Sequence, residues 1–184
     1  MSATLEKVSK LLVEAQLQLL EEIERAYPPQ EENVEPPSVE YDPVPPRQLK
    51  ITVPEFLPRV GVYPTLFGQS NRRGPSSYSI ARDRWYSLIG SGFKKALDEG
   101  KIRDFIPFER ATVFIRMYFP DPRVRDVDNF TTVFINNALR YARIILDDSF
   151  DRLAVVTMGS LDPAAPRTEI TVIEGLEILE NFIR

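Results

Sequence analysis

The chain has 184 residues, of which 43% are hydrophobic and 27% charged, and a formal net charge of −4, which suits one well-packed domain with appendages. It contains no cysteine and no histidine, which excludes disulfides, thiolate metal ligands and every catalytic arrangement that needs a histidine. Any hydrolytic chemistry must therefore rest on carboxylates, lysine, tyrosine or a metal ion. The sequence shows neither an apolar run of about 18 residues nor a signal-peptide pattern, so we expect a cytoplasmic protein with no membrane partner.

Residues 1–26 are predicted to form a helical arm. Apolar side chains recur along it at steps of three and four residues, which is nearly a heptad seam over about three heptads. They are Leu5, Val8, Leu12, Ala15, Leu19 and Ile23. Two interpretations stay open: a helix docked on its own domain, and a helix that dimerises or recruits a protein partner.

Residues 27–47 are predicted to form a linker. Seven prolines with acidic residues between them favour polyproline II or disorder over regular helix or sheet; an ordered path across the domain surface is the alternative. The charge also divides here, because residues 1–46 hold three basic and ten acidic side chains, whereas the remainder holds 20 basic and 17 acidic ones. The mildly basic remainder is compatible with nucleic-acid binding despite the acidic total.

Residues 48–174 are predicted to form the main domain. A helix at 79–97 is expected to bury an apolar side that includes Trp85, which we assign to the core. The other predicted elements are strands at Gln48–Val53 and Ala111–Phe119, a helix at 130–145, a strand pair at 153–158 and 168–173, and a short helix at 176–183 within a C-terminal segment, 175–184.

A long loop at 54–78 is the first candidate contact with a polyanion. Arg72 and Arg73 lie in it near aromatic residues, which fits contact with backbone phosphates and bases. The alternative is a solvated loop whose aromatic side chains pack inward. Lys94 and Lys95, near the end of the following helix, suit its dipole and are also candidate DNA contacts.

The segment 125–148 carries the most distinctive chemistry. An Asp-Val-Asp-Asn turn at 126–129 precedes the predicted helix at 130–145, and Leu-Asp-Asp at 146–148 follows it. Apolar residues at helical spacing predict a buried stripe between the two acidic ends. They are Phe130, Val133, Phe134, Ala138, Tyr141 and Ile145.

The aspartates of this segment are candidate metal ligands. Asp126 and Asp128 are two residues apart in a non-helical turn and are expected to face one side. A helix of about 16 residues is about 24 Å long, so Asp147 and Asp148 join them only if the next loop turns back or two subunits share the site. Converged carboxylates call for a cation such as Mg²⁺, whose bound water can hydrolyse a phosphodiester. The plainer alternative is a helix cap at Asp128 or Asn129 and an ordinary turn at Asp147 and Asp148.

This aspartate pattern, at 126–129 and 146–148, resembles that of the RusA family of Holliday-junction resolvases. The likeness extends from about residue 50 to 174 and includes an opening strand, a helix, a strand that leads into the motif and a closing strand. It implies an α+β fold, in which a small mixed β-sheet is flanked by helices; this chain adds the N-terminal arm and the linker.

The resemblance also implies a function: a homodimer that cuts branched DNA symmetrically, with Mg²⁺ or Mn²⁺ held by three aspartates. By motif position these are Asp126, Asp128 and Asp148, and Asp147 is a lesser candidate metal ligand. The expected location is the nucleoid of the cytoplasm. The candidate DNA contacts are Arg72, Arg73, Lys94, Lys95, Arg123, Arg125, Arg140 and Arg143.

The chain departs from the family pattern at two positions. Thr132 stands where the family has a lysine, and Asn136 where an aspartate is common. A cation near the phosphate stabilises the charge that develops there, so loss of the lysine leaves two alternatives to the nuclease. One is a catalytically weak or inactive protein that binds DNA junctions. The other is an interaction module in which the arm recruits a partner and the aspartates serve as caps.

Overall fold

The computed structural model describes residues 36–57, 77–127 and 130–178. The predicted arm, the first part of the predicted linker and the predicted site residues Arg72, Arg73 and Asp128 lie outside these ranges, and so do residues 179–184 of the predicted terminal helix. The chain divides between Glu35 and Pro36 into two units. All described residues belong to the second unit.

The described residues form five strands and two helices, and no helix among them is long and apolar enough to cross a membrane. The predicted strands at Gln48–Val53 and Ala111–Phe119 are confirmed. The elements are β1 (Ser38–Asp42), β2 (Gln48–Val53), α1 (Ser77–Asp98), β3 (Ala111–Phe119), α2 (Val133–Tyr141), β4 (Leu153–Leu161) and β5 (Arg167–Glu174).

All five strands form one mixed sheet in the order β1-β2-β5-β3-β4, which confirms the predicted α+β class. β3 and β4 are parallel, and the other neighbours are antiparallel. The predicted pairing of the strands at 153–158 and 168–173 with each other is wrong, because β4 and β5 lie on opposite sides of β3. Asp162 donates its N–H to the carbonyl of Phe119, so the connection between β4 and β5 passes the end of β3.

The second half of the predicted linker belongs to the sheet, so the prediction that it lacks regular structure is wrong there. β1 alternates inward and outward residues, with Val39 buried and Tyr41 half-buried. It pairs only with β2, at the edge of the sheet. Prolines are tolerated next to an edge strand because no neighbour needs the missing N–H group. Here Pro37 and Pro43 lie directly before and after β1, outside its paired residues.

The core lies on one face of the sheet. Every second residue of β2 is fully buried (Leu49, Ile51, Val53), and because alternate side chains of a strand share a face, this defines the inner side. These residues form one cluster with the buried residues of both helices. Trp85, at 2% exposure, is part of that cluster, which confirms its predicted place in the core.

One ion pair joins the start of β2 to the end of β5. The guanidinium of Arg47 donates two hydrogen bonds to Glu174, at 3.0 and 2.6 Å, and one to the carbonyl of Ile106. The Arg47 backbone N–H also donates to Glu174, at 3.3 Å. Its guanidinium also lies over the ring of Phe108, 4.9 Å from the centroid. The hydrogen bonds from Arg47 hold the pKa of Glu174 below its ordinary value. Arg47 therefore connects three chain segments that are distant in sequence.

Glu174→Gln should lower stability in a pH-dependent way. The pKa of Glu174 is lower in the folded chain, so its contribution is full above the unfolded value of about 4.3 and is lost as pH falls through the folded pKa. Because the side chain is 37% exposed, we expect a loss of only about 0.5–1 kcal/mol at pH 7. Urea unfolding of wild type and variant at pH 7 and at pH 3 measures the loss of stability at each pH. An equal loss at the two pH values would contradict this assignment.

Two glycines of α1 make a matched pair for a second prediction. A Cβ atom at Gly90 would meet nothing within 4 Å, whereas one at Gly92 would lie 3.0 Å from both the Cβ and the carbonyl oxygen of Pro37. Gly90→Ala should therefore stabilise the protein by about 0.5–1 kcal/mol through helix propensity. Gly92→Ala should not stabilise the protein, because Pro37 must move to make room for the added Cβ atom. Equal stabilisation by both, in thermal unfolding, would show that Pro37 does not pack there.

Candidate active site

α2, the helix between the two acidic segments, is shorter than predicted. It covers Val133–Tyr141 instead of 130–145. It ends in a Schellman motif, in which Arg143 N donates to Arg140 O and Ile144 N to Leu139 O. This motif requires a left-handed residue after the helix, and Arg143 takes that conformation, with φ 59°. The nine-residue helix is only about 14 Å long, and the acidic residues lie outside it, in the segments before and after.

The buried face of α2 also differs from the predicted stripe. Val133 is 41% exposed and Tyr141 is 67% exposed, so their predicted burial is wrong. The other four residues of the stripe are buried, which confirms that part of the prediction: Phe130, Phe134, Ala138 and Ile145. Within α2 itself, Ile135 and Leu139 join Phe134 and Ala138 on the buried face.

The turn before the motif is fixed by Arg125. Its guanidinium donates to the carboxylate of Asp121 at 2.8 Å and to the carbonyls of Asp121 and Arg123. It also lies 4.3 Å from the ring centroid of Phe119, at the end of β3. The Arg123 N–H and the Arg125 guanidinium hold the pKa of Asp121 below its ordinary value. Arg125, a predicted DNA contact, is thus engaged within the protein, with 12% of its side chain exposed.

Asp126 follows this turn as an exposed residue. Its predicted partner Asp128, with Asn129, lies outside the described residues, so the predicted shared orientation of Asp126 and Asp128 stays a prediction.

Asp147 and Asp148 lie in the loop after α2 and are half-buried. Asp147 accepts the backbone N–H of Asp148 at 3.0 Å. Asp148 accepts a hydrogen bond from Arg140 at 3.3 Å, across eight residues of chain. The loop therefore lies beside the last turn of α2, and Leu146 N donates to the carbonyl of Phe108, just before the start of β3. Arg125, next to Asp126, instead packs on Phe119 at the end of β3.

The described residues include no group of three carboxylates placed to hold a metal ion. Asp128 is not among them, so this does not test the predicted set. The donor chemistry suits Mg²⁺ or Mn²⁺, because all the candidate ligands are hard carboxylate oxygens. One oxygen of Asp148 already faces a cation, Arg140.

Two buried oxygen atoms near the start of α2 were not identified from the sequence. Thr131 Oγ1 and Asn136 Oδ1 have no hydrogen-bond partner among the described residues. Buried polar atoms are normally hydrogen-bonded, so these two are candidate contacts for a ligand or a water at this end of the helix. Asn136 occupies the position where the RusA-like pattern has an aspartate, which is the one sequence signal that pointed here.

The predicted basic contacts are dispersed. Lys94 and Lys95 are exposed near the end of α1, where Lys95 lies 3.8 Å from Glu99. Arg123 is 81% exposed beside the motif. Among the described residues, Arg123 and Arg125 share Asp121, and Arg140 and Arg143 lie in one cleft. This cleft of about 400 Å³ is also lined by Tyr141, Ile145 and Leu146, and we call it the α2 cleft.

An aromatic pair beside the α2 cleft was also missed. Tyr141 of α2 lies 4.9 Å, centroid to centroid, from Tyr86 of α1. No pattern in the sequence pointed to this pair, because Tyr141 fits the predicted apolar stripe.

The comparisons with known proteins identify no family. The sequence matches no protein-family model and no curated protein. The likeness to the RusA family therefore rests on the motif and the order of elements and remains a proposal.

Asp148→Asn should leave the fold intact. The pair with Arg140 is partly exposed, with 44% and 28% of the two side chains accessible, and such pairs contribute at most about 1 kcal/mol. We expect the free energy of unfolding in urea to change by less than that. A loss of several kcal/mol would instead make Asp148 a structural residue, and its variants would then not report on chemistry.

Proposed function

We propose that this protein is a metal-dependent, structure-selective endodeoxyribonuclease that cuts branched DNA junctions as a homodimer. The observation that carries the proposal is the pair of acidic segments on either side of α2, with Asp148 held by Arg140. Asp126 precedes the same helix, which is about 14 Å long. The acidic residues thus belong to one short β3–α2–β4 unit.

In this proposal Asp126, Asp128 and Asp148 hold a Mg²⁺ or Mn²⁺ ion, and Asp147 is a lesser candidate. The metal supplies a water of lowered pKa and neutralises charge on the phosphate. Asn129 would orient a ligand; its alternative role as a helix cap is ruled out, because the N-cap residue of α2 is Thr132. Arg72, Arg73, Lys94, Lys95, Arg123, Arg140 and Arg143 would contact backbone phosphates, and the arm at 1–26 would dimerise or recruit a partner.

Arg140 supports the catalytic form of the proposal despite Thr132. The family pattern has a lysine at position 132, and here Thr132 is half-buried at the start of α2, where its side chain makes no capping hydrogen bond. Arg140 brings a cation to within 3.3 Å of Asp148 from the other end of the helix. An arginine there would serve the same electrostatic purpose as the lysine.

A protein that binds junctions without cutting them is the second candidate, and the same ion pair favours it. If Arg140 neutralises Asp148 permanently, the aspartates need no metal ion. This candidate predicts junction affinity with a steep salt dependence and no cleavage.

Cleavage of a labelled four-way junction tests the proposal. We expect symmetric nicks with Mg²⁺ or Mn²⁺ and none on a linear duplex of the same sequence. Asp126→Asn, Asp128→Asn and Asp148→Asn should each lower the rate by about 100-fold or more, as expected when a metal ligand worth several kcal/mol is lost. Asp98→Asn, an exposed carboxylate at the end of α1, is the matched control and should cut normally.

The other outcomes separate the alternatives. Tight binding without nicks would select the junction binder. Neither binding nor nicks would select the interaction module, whose partner should be lost on deletion of residues 1–26.

A further inference from the structure

The α2 cleft combines positive charge with an apolar wall. Arg140 and Arg143 line it, and so do Ile145, which is buried, and Leu146, which is 44% exposed. Within the part of the chain that the structure describes, Arg140 is paired with Asp148, and no acidic side chain pairs with Arg143. The cleft therefore keeps a net positive charge, which favours an anionic ligand with an apolar part.

A row of rings and guanidinium groups leads into the cleft. Arg82 lies 5.9 Å from the ring centroid of Tyr86, Tyr86 lies 4.9 Å from Tyr141, and Arg140 lies 5.9 Å from Tyr141. Despite these contacts, 67% of Tyr141 remains exposed. Two adjacent aromatic rings flanked by arginines can serve as a platform on which bases stack.

Arg143 occupies a position where glycine is the ordinary residue. It is the left-handed residue of the Schellman motif, with φ 59°, and glycine adopts that conformation with less strain. Residues in such sparsely populated conformations cluster at functional sites, so Arg143 makes the α2 cleft a candidate site. The observation is independent of the ring contacts and points to the same cleft.

We propose that the α2 cleft binds one unpaired nucleotide of a DNA strand, with its base stacked on Tyr141 and its phosphate held by Arg143 and Arg140. The choice of DNA rests on the proposed function. A base inside a duplex stacks on its neighbours and cannot reach a side chain, so the cleft selects nucleotides that a branch point has released. Arg140, shared between the cleft and Asp148, links the bound phosphate to the acidic site.

The experiment measures binding of fluorescent oligo-dT to the full chain by anisotropy, in EDTA, over a range of salt concentrations. Tyr141→Ala should weaken binding by about 5-fold to 100-fold, the loss of one stacked base, and Tyr141→Phe should restore it. Arg143→Gly should weaken binding and lower the slope of log affinity against log salt by about 0.7, the loss of one phosphate contact.

Two controls separate binding from stability and from general charge. Asp104, at φ 51°, is the other non-glycine residue with a left-handed backbone in the described ranges. Asp104→Gly should relieve strain as Arg143→Gly does, raising the melting temperature or leaving it unchanged, without weakening binding. Lys101→Gln removes an exposed positive charge outside the α2 cleft and should leave the salt slope unchanged.

The proposal is overturned if wild type does not bind oligo-dT, or if Tyr141→Ala and Arg143→Gly bind as wild type does. It is also overturned if Lys101→Gln weakens binding equally, or if a matched duplex binds as tightly with the same dependence on Tyr141. Because no metal is present, failure of the acidic site would not affect this assay. Cleavage of junctions without oligo-dT binding would overturn the proposed nucleotide site in the α2 cleft but support the proposed nuclease function.

Discussion

Parallel strands cannot be joined by a tight turn, and β3 and β4 are parallel along nine paired positions. The chain must cross the sheet between them, and α2 is the crossover. This constraint determines where the aspartates lie. Asp126 is in the segment that leads into the crossover helix, and Asp147 and Asp148 are in the segment that follows it. It also creates the α2 cleft, because the helix has to end and reverse before β4 can begin. The proposed chemistry and the proposed nucleotide site are both consequences of one parallel pairing.

Arginines organise the loops that this topology requires. Arg125 fixes the turn after β3, and Arg47 connects the start of β2 to the end of β5. Arg167 holds Asp162 and Glu169 while it lies 3.8 Å from the ring centroid of Tyr118. With no histidine or cysteine in the sequence, guanidinium groups provide the long polar connections. Arg140 differs from these three, because it pairs with Asp148 and also lines the α2 cleft.

The sequence predicted those parts of the fold that depend on local pattern. The bounds of β2 and β3 were correct because alternation and β-branched residues determine them. The pairing of β4 and β5 was not, because the order of strands depends on contacts between distant segments. The end of α2 was missed because an arginine, instead of glycine, takes the left-handed position. Spacing along the chain was enough to propose the acidic residues but not the α2 cleft, since Tyr86 and Tyr141 are 55 residues apart and meet only through helix packing.

β5 is the middle strand of the sheet, although it is the last strand in the described sequence. Its neighbour β2 pairs with it across more than a hundred residues, from Gln48 to Ile173. Until β5 is synthesised, the β1–β2 hairpin and the β3–α2–β4 unit share no neighbouring strand, although α1 contacts both. Each fragment still exposes the strand edge that β5 will cover. Closing so large a loop is entropically slow. The kinetics of folding should therefore be governed by insertion of this one strand, and the exposed fragments are the species that chaperones would meet during synthesis.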